Sequence, residues 1–259
     1  FAKGIVTRPD ALHICYCHTP TRYLWTDTHS YIKDLRTNKG IKFLLPFVLT
    51  SLRMWDRMSA VRVNKFIANS HTVAKRIKKY YERESDIIYP PVDCTQFYVT
   101  NKLGDYYLAG WRLVAYKRFD LVIEVFNRLK LPLIIFGTGP YEDRLRRMAG
   151  KNVKFVGHIS DEEKAKLLSE CIAFVHPQLE DFGLLPLEAM ASGRPVIAYR
   201  GGGALEIIKE GEDGVFFDEQ IEDSLIEAVH KFQNMQFDPH LIREHARRFD
   251  KERFKEEIY

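Results

Sequence analysis

The sequence predicts an α/β protein built on parallel, doubly wound sheets. Three observations carry this. Short apolar runs alternate with helical segments along most of the chain, the pattern of βαβ units. Two of those runs end in glycine-rich turns that lead straight into a helix, at 137–140 and 201–203. The doublet Pro90-Pro91 interrupts the alternation, because consecutive prolines end both helix and sheet pairing, and so divides the chain.

The chain has 259 residues, enough for two domains, with 46% hydrophobic and 29% charged residues, as in globular proteins. A net charge of +4 is far from a nucleic-acid-binding signature. Residues 1–97 read as the back half of an α/β domain. A strand is expected at 12–17, helices near 27–36, 41–62 and 71–82, and strands near 64–68 and 86–89. Cys15, Cys17, Cys94 and Cys171 show no metal-ligand spacing. They read as buried or half-buried reduced thiols, hence a cytoplasmic protein without a visible signal peptide. Phe43-Leu44-Leu45-Pro46-Phe47-Val48-Leu49 is too short to span a bilayer. It reads either as a helix packed on its own domain or as a face docking peripherally on a membrane. Lys75, Arg76, Lys78 and Lys79 beside Tyr80 and Tyr81 are then either solvated or set against lipid phosphate.

Residues 98–105 read as a linker. Beyond it, strands are expected near 106–109, 132–136, 153–156, 172–175, 195–199 and 214–217, and helices near 119–129, 141–149, 161–169, 185–192, 204–210 and 220–232. Ser160-Asp161-Glu162-Glu163 is a capping box. Leu241 to Ile258 reads as a terminal helical pair.

Candidate site residues gather at the strand ends. Pro186 suits a first helical turn and Gly193 a C-terminal cap, so Leu184 to Ser192 is expected as a short helix. Glu188 then lies near its start and Glu180 on the loop feeding it. Two carboxylates beside free helix N–H groups point to bound hydroxyls, such as those of a ribose and a hexose. The plainer reading is two surface acids at a favourable helix end. Gly137-Thr138-Gly139-Pro140 and Gly201-Gly202-Gly203 would let backbone amides approach a phosphate, although many such turns carry glycine for conformation alone. Arg112 and Lys117 follow the strand at 106–109, at the carboxyl end where open α/β sheets bind ligands. Two fixed cations there suit a diphosphate. Arg118 reads as solvated.

Four signals occur in this order and at suitable spacing: Arg112-Leu113-Val114-Ala115-Tyr116-Lys117, the Gly137-Thr138-Gly139-Pro140 turn, Glu180 and Glu188 seven residues apart with Phe182-Gly183 between, and Gly202-Gly203 followed by Glu206. Together they resemble the nucleotide-sugar half of glycosyltransferase family 4, the glycosyl transferases group 1, over Tyr106 to Phe217. Upstream, Cys15-Tyr16-Cys17-His18-Thr19-Pro20, Phe66-Ile67-Ala68-Asn69-Ser70 and Tyr89-Pro90-Pro91-Val92-Asp93 resemble parts of the family's N-terminal domain. The details are most similar to mannosyltransferases of polysaccharide and lipopolysaccharide assembly.

The resemblance implies a GT-B fold: two Rossmann-like domains facing a cleft, the first one truncated. Residues 1–97 would belong to the acceptor-side domain, 98–247 would bind the nucleotide sugar, and 248–259 would return to the first domain. It implies a retaining, metal-independent hexosyl transfer, most similar to mannosyl transfer from GDP-mannose or another nucleoside-diphosphate sugar. The acceptor would be a glycan or lipid-linked glycan, on the inner face of a membrane or in the cytoplasm, with no cofactor. Arg112 and Lys117 would hold the diphosphate, Glu180 the transferred sugar and Glu188 the ribose. Gly137, Gly139, Gly202 and Gly203 would bring amides to the donor. Phe182, Gly183 and Leu184 would set main-chain N–H groups near the sugar, Val156 and Gly157 would meet the base, and His18 would face the donor from the first domain.

Trp111 stands where the family has a small residue, Gly201 leaves the loop register open by one, and the family's N-terminal glycine-rich loop is not seen, so a fragment is expected. Two other readings stay open: a nucleotide-sugar-binding fragment without transfer activity, and a GT-B epimerase or phosphorylase.

Overall fold

A computed structural model of the chain describes residues 2–26, 28 and 39–259. By its internal contacts the chain divides into two compact units, Phe1–Tyr89 and Pro90–Tyr259. The helix expected at 27–36 lies outside the described residues, apart from Thr28.

The first unit holds a parallel sheet ordered β1 (Ile14–Cys17), β2 (Lys65–Ala68), β3 (Ser85–Ile87). Helices α1 (Arg22–Trp25), α2 (Lys39–Val61) and α3 (His71–Tyr81) accompany it. Phe66, Val73 and Ile77 form its core. Ser70 caps α3 by accepting from the Val73 amide. Asp56 of α2 is fully buried and satisfied, accepting from Trp25 Nε1 and Tyr81 Oη, both at 2.8 Å, and pairing with Lys3. Helix α2 packs through Leu49, Asp56, Ser59 and Ala60 and leaves Leu44, Phe47, Val48, Met54, Met58 and Val61 exposed. Among the described residues no helix is long and apolar enough to cross a membrane. All four cysteines are free; three are buried and Cys15 is half-buried.

The second unit is a six-stranded parallel sheet. Its strands are β4 (Tyr107–Gly110), β5 (Leu133–Phe136), β6 (Val153–Gly157), β7 (Phe174–His176), β8 (Val196–Tyr199) and β9 (Gly214–Phe217). They lie in the order β6-β5-β4-β7-β8-β9. The chain winds outward from β4 to one edge, then returns to β7 beside it and winds to the other. Leu108 pairs with Phe174 across this reversal. Such a reversal opens a crevice at the carboxyl ends of the two central strands.

Helices α4 (Phe119–Leu129), α5 (Glu142–Met148), α6 (Asp161–Glu170), α7 (Leu184–Ala191), α8 (Ala204–Ile207), α9 (Glu222–Gln233), α10 (Pro239–Arg247) and α11 (Lys251–Ile258) complete the unit. Strands buried on both faces read as continuous apolar runs, as β8 does. A hydrophobic core lies where α4 and α9 cover the sheet, with Phe126, Ile135, Val175 and Phe217 among its buried residues. Helix α8 is shorter than the expected 204–210. Asp213 captures the chain instead: its Oδ2 accepts from the Lys209 amide at 3.0 Å, and its own amide returns to Lys209 O at 2.9 Å. The helical pair expected over 241–258 is α10 and α11, separated at Asp250, which caps α11.

Candidate functional site

Residues after β4 and β7 meet over the crevice where the strand order reverses. Beyond Gly110 the backbone passes through Trp111 at φ 129°, a conformation that side-chain-bearing residues rarely adopt. The loop is tied to the next strand, with the Trp111 amide on Phe136 O (3.1 Å) and the Leu113 amide on Thr138 O (2.9 Å). A 3-10 turn over Ala115–Lys117 then aims Lys117 inward, where it is buried.

Lys117 Nζ lies 2.5 Å from Glu180 Oε1, on the loop after β7. Gln178 Nε2 approaches the same oxygen at 3.4 Å. His176, the last residue of β7, lies 4.0 Å from Glu180 Oε2. Burial works against the charge of Glu180, but His176 and Lys117 outweigh it and hold the carboxyl below its usual value. Burial drives His176 down to about 4. The imidazole is therefore neutral near pH 7, and Lys117 is the cation facing Glu180 there.

The glycine turns have a structural cause. A Cβ on Gly137 would stand 1.9 Å from Trp111 O, and one on Gly202 would stand 2.0 Å from Glu180 O. Gly139 and Gly203 are similarly closed in by Leu113 and Phe182. Each turn is thus glycine because another site loop runs across it. The Gly203 amide donates to Glu180 O at 3.0 Å and the Gly137 amide to Gly157 O at 2.6 Å. Those two N–H groups are engaged by the protein, which narrows the expected amide contacts to Gly202 and Gly139.

Glu188 occupies the fifth position of α7, near its start as the sequence suggested. The helix itself begins at Leu184 after Gly183 at φ 106°, and Gly193 at φ 72° follows its end, as expected. Glu188 Oε1 accepts from Lys164 Nζ of α6 at 3.1 Å, while Oε2 is buried without a partner. Burial raises the Glu188 pKa; Lys164 opposes that rise and Asp161 adds to it.

A cavity of about 580 Å³ opens beside this pair, lined by Trp111, Arg112, Gly137, Gly139, His158 and Lys164 among others. Arg112 is exposed there, and Val156 and Gly157 end β6 close in sequence to His158. Phe182 is buried edge-on to Phe249 (5.8 Å), and Leu184 is exposed. His18 belongs to the first unit, exposed just past β1 with its ring 5.3 Å from Tyr16. Sequence reasoning missed Lys164 and His176. Lys164 follows the recognised capping box, but nothing local shows that it reaches a carboxylate 24 positions away.

Two parallel α/β sheets, the second reversing its strand order under paired charges, define a GT-B type protein. Residues 103–253 match the family described as glycosyl transferases group 1, and the chain belongs to that family. It is 27% identical over 255 residues to the human alpha-1,3/1,6-mannosyltransferase ALG2, covering 84% of this chain and 58% of that protein. It is 30% identical over 147 residues to O-antigen chain mannosyltransferase C of Escherichia coli, covering 54% of this chain and 40% of that one. The chain thus spans about half the length of these curated relatives. Sucrose-phosphate synthase from Thermosynechococcus elongatus shares the fold with a TM-score of 0.73 at 19% identity, over 95% of this chain and 65% of that one. Anabaena HepE in complex with UDP does so with a TM-score of 0.70 at 18% identity, over 95% and 77%.

Proposed function

We propose that this chain is the donor-binding part of a retaining, metal-independent hexosyltransferase. It would move a hexose, mannose by its relatives' names, from a nucleoside-diphosphate sugar to a glycan or lipid-linked glycan hydroxyl. The observation that carries this reading is the Lys117–Glu180 pair over the crevice between β4 and β7. When the sugar–phosphate bond breaks, negative charge grows on the diphosphate and positive charge on the anomeric carbon. A preorganised ammonium beside a carboxylate serves both, without reorganising solvent. Arg112 supplies a second cation, Glu188 accepts from the ribose, and the Gly202 amide adds a donor. The Phe182–Leu184 backbone meets the sugar, Val156 and Gly157 the base. His18 lies in the first of the domains 1–97, 98–247 and 248–259, the division proposed for this chain. The exposed apolar stripe of α2 supports peripheral contact with a membrane from the cytoplasmic side.

Calorimetry with GDP and GDP-mannose, beside a transfer assay on a form competent for turnover, tests the residue roles. Glu188→Ala weakens both ligands. Glu180→Ala leaves GDP binding nearly intact and lowers turnover. Equal loss of both ligands in Glu180→Ala, with none in Glu188→Ala, reverses the assignment.

A further inference from the structure

The geometry points to Lys164 as a positioning residue for Glu188. We propose that it holds one carboxylate oxygen so that the other faces a nucleotide's ribose hydroxyls as an ionised acceptor. This rests on the donor-binding reading above and adds to it a residue from a different helix.

Three observations carry the inference. Lys164 Nζ is 3.1 Å from Glu188 Oε1 and 3.2 Å from Asp161 Oδ1, so the ammonium is fixed from two sides. Both members of the Lys164–Glu188 pair are largely shielded, with side-chain exposures of 13% and 18%. Glu188 Oε2 is buried with no hydrogen-bond partner. A buried acceptor left unsatisfied is costly, and its natural explanation is a donor that arrives with a ligand. Lys164 and Asp161 also line the cavity beside Arg112 and Gly137, with Glu188 behind Lys164.

The surrounding charges leave the assignment to Lys164. Helix α6 contributes Lys164 and Asp161. Helix α10, packed on α7, contributes Arg243, whose guanidinium is engaged by the carbonyls of Phe97, Ala191 and Cys94. Strand β7 contributes His176, which lies against Glu180; β8 and α8 carry Tyr199 and Glu206. The charges that reach Glu188 are Lys164, which favours its ionised form, and Asp161, which disfavours it. Without Lys164, burial and Asp161 would act together to protonate the carboxyl as pH falls.

The test is calorimetry with GDP, UDP and their 2′,3′-dideoxy analogues between pH 5.5 and 8.5. In the unaltered chain, discrimination for the ribose hydroxyls persists across this range. In Lys164→Met, nucleotide affinity drops about ten-fold or more at the acid end and recovers as pH rises. Lys164→Arg restores the flat profile, and Glu188→Gln abolishes the discrimination at every pH. Lys164→Gln gives the same readout where methionine destabilises the chain. A Lys164→Met or Lys164→Gln profile superimposable on the unaltered one overturns the inference alone. Undiminished discrimination in Glu188→Gln, or no binding of either nucleotide, overturns the donor-site reading and the inference with it.

Discussion

Lys117 and Glu180 hold each other in place at the centre of the crevice, and their pairing sets what each substitution does. Removing the ammonium leaves a half-buried carboxylate facing a neutral imidazole. We expect Lys117→Ala to lower turnover at saturating donor roughly 30- to 1000-fold, the range for losing about 2–4 kcal/mol of transition-state stabilisation. An unchanged rate constant would remove Lys117 from this role. His176 below them makes a pH prediction. It is fully buried and its pKa falls from 6.5 to about 4 on folding. The unfolded chain therefore binds more protons between those values, and stability falls as pH drops through that window. The loss is of the order of 3 kcal/mol. Glu180, held below its usual value, loses its contribution in the same direction at lower pH. Urea unfolding of His176→Gln between pH 4 and 7 should show a flatter slope than the unaltered chain; an identical slope would count against a buried neutral imidazole.

Among the elements, α6 has the most to do with the site, because it carries Lys164 into the cavity. Its start is determined locally. Ser160 Oγ accepts from the Glu163 amide at 3.2 Å, and Glu163 Oε2 accepts from the Ser160 amide at 3.0 Å, a complete capping box. Ser160→Ala should cost about 1 kcal/mol, read as a shift in the denaturant midpoint with the slope unchanged. A cost below a few tenths would mean that tertiary packing, not the cap, places this helix. Helix α8 shows the opposite balance, since a buried side chain, Asp213, ends a helix that its local sequence would have continued.

At the scale of the whole molecule, the strand order of the second unit matters most. It brings Lys117 and Glu180, 63 positions apart, together over one crevice, and it sets cations where open α/β sheets bind anions. If Lys117 and Arg112 carry the leaving-group charge, transfer should be insensitive to EDTA. A requirement for added Mn²⁺ or Mg²⁺, abolished by chelation, would count against that arrangement.

The sequence by itself determined the α/β class, the family, the six strands of the second unit and the ends of α7. Each of these rests on local signals: apolar periodicity, glycine and proline conformations, and a motif with recognisable spacing. It also marked Lys117, Glu180 and Glu188, but as charges on separate loops and a helix. Only the tertiary structure decided which charge meets which. Lys117 with Glu180 depends on β4 and β7 lying side by side, and Lys164 with Glu188 on α6 packing beside α7. The glycines changed meaning for the same reason, because the backbone crossing Gly137 and Gly202 comes from a different turn of the chain. Contacts of this kind depend on the order in which strands pair, and no local run of residues records that order.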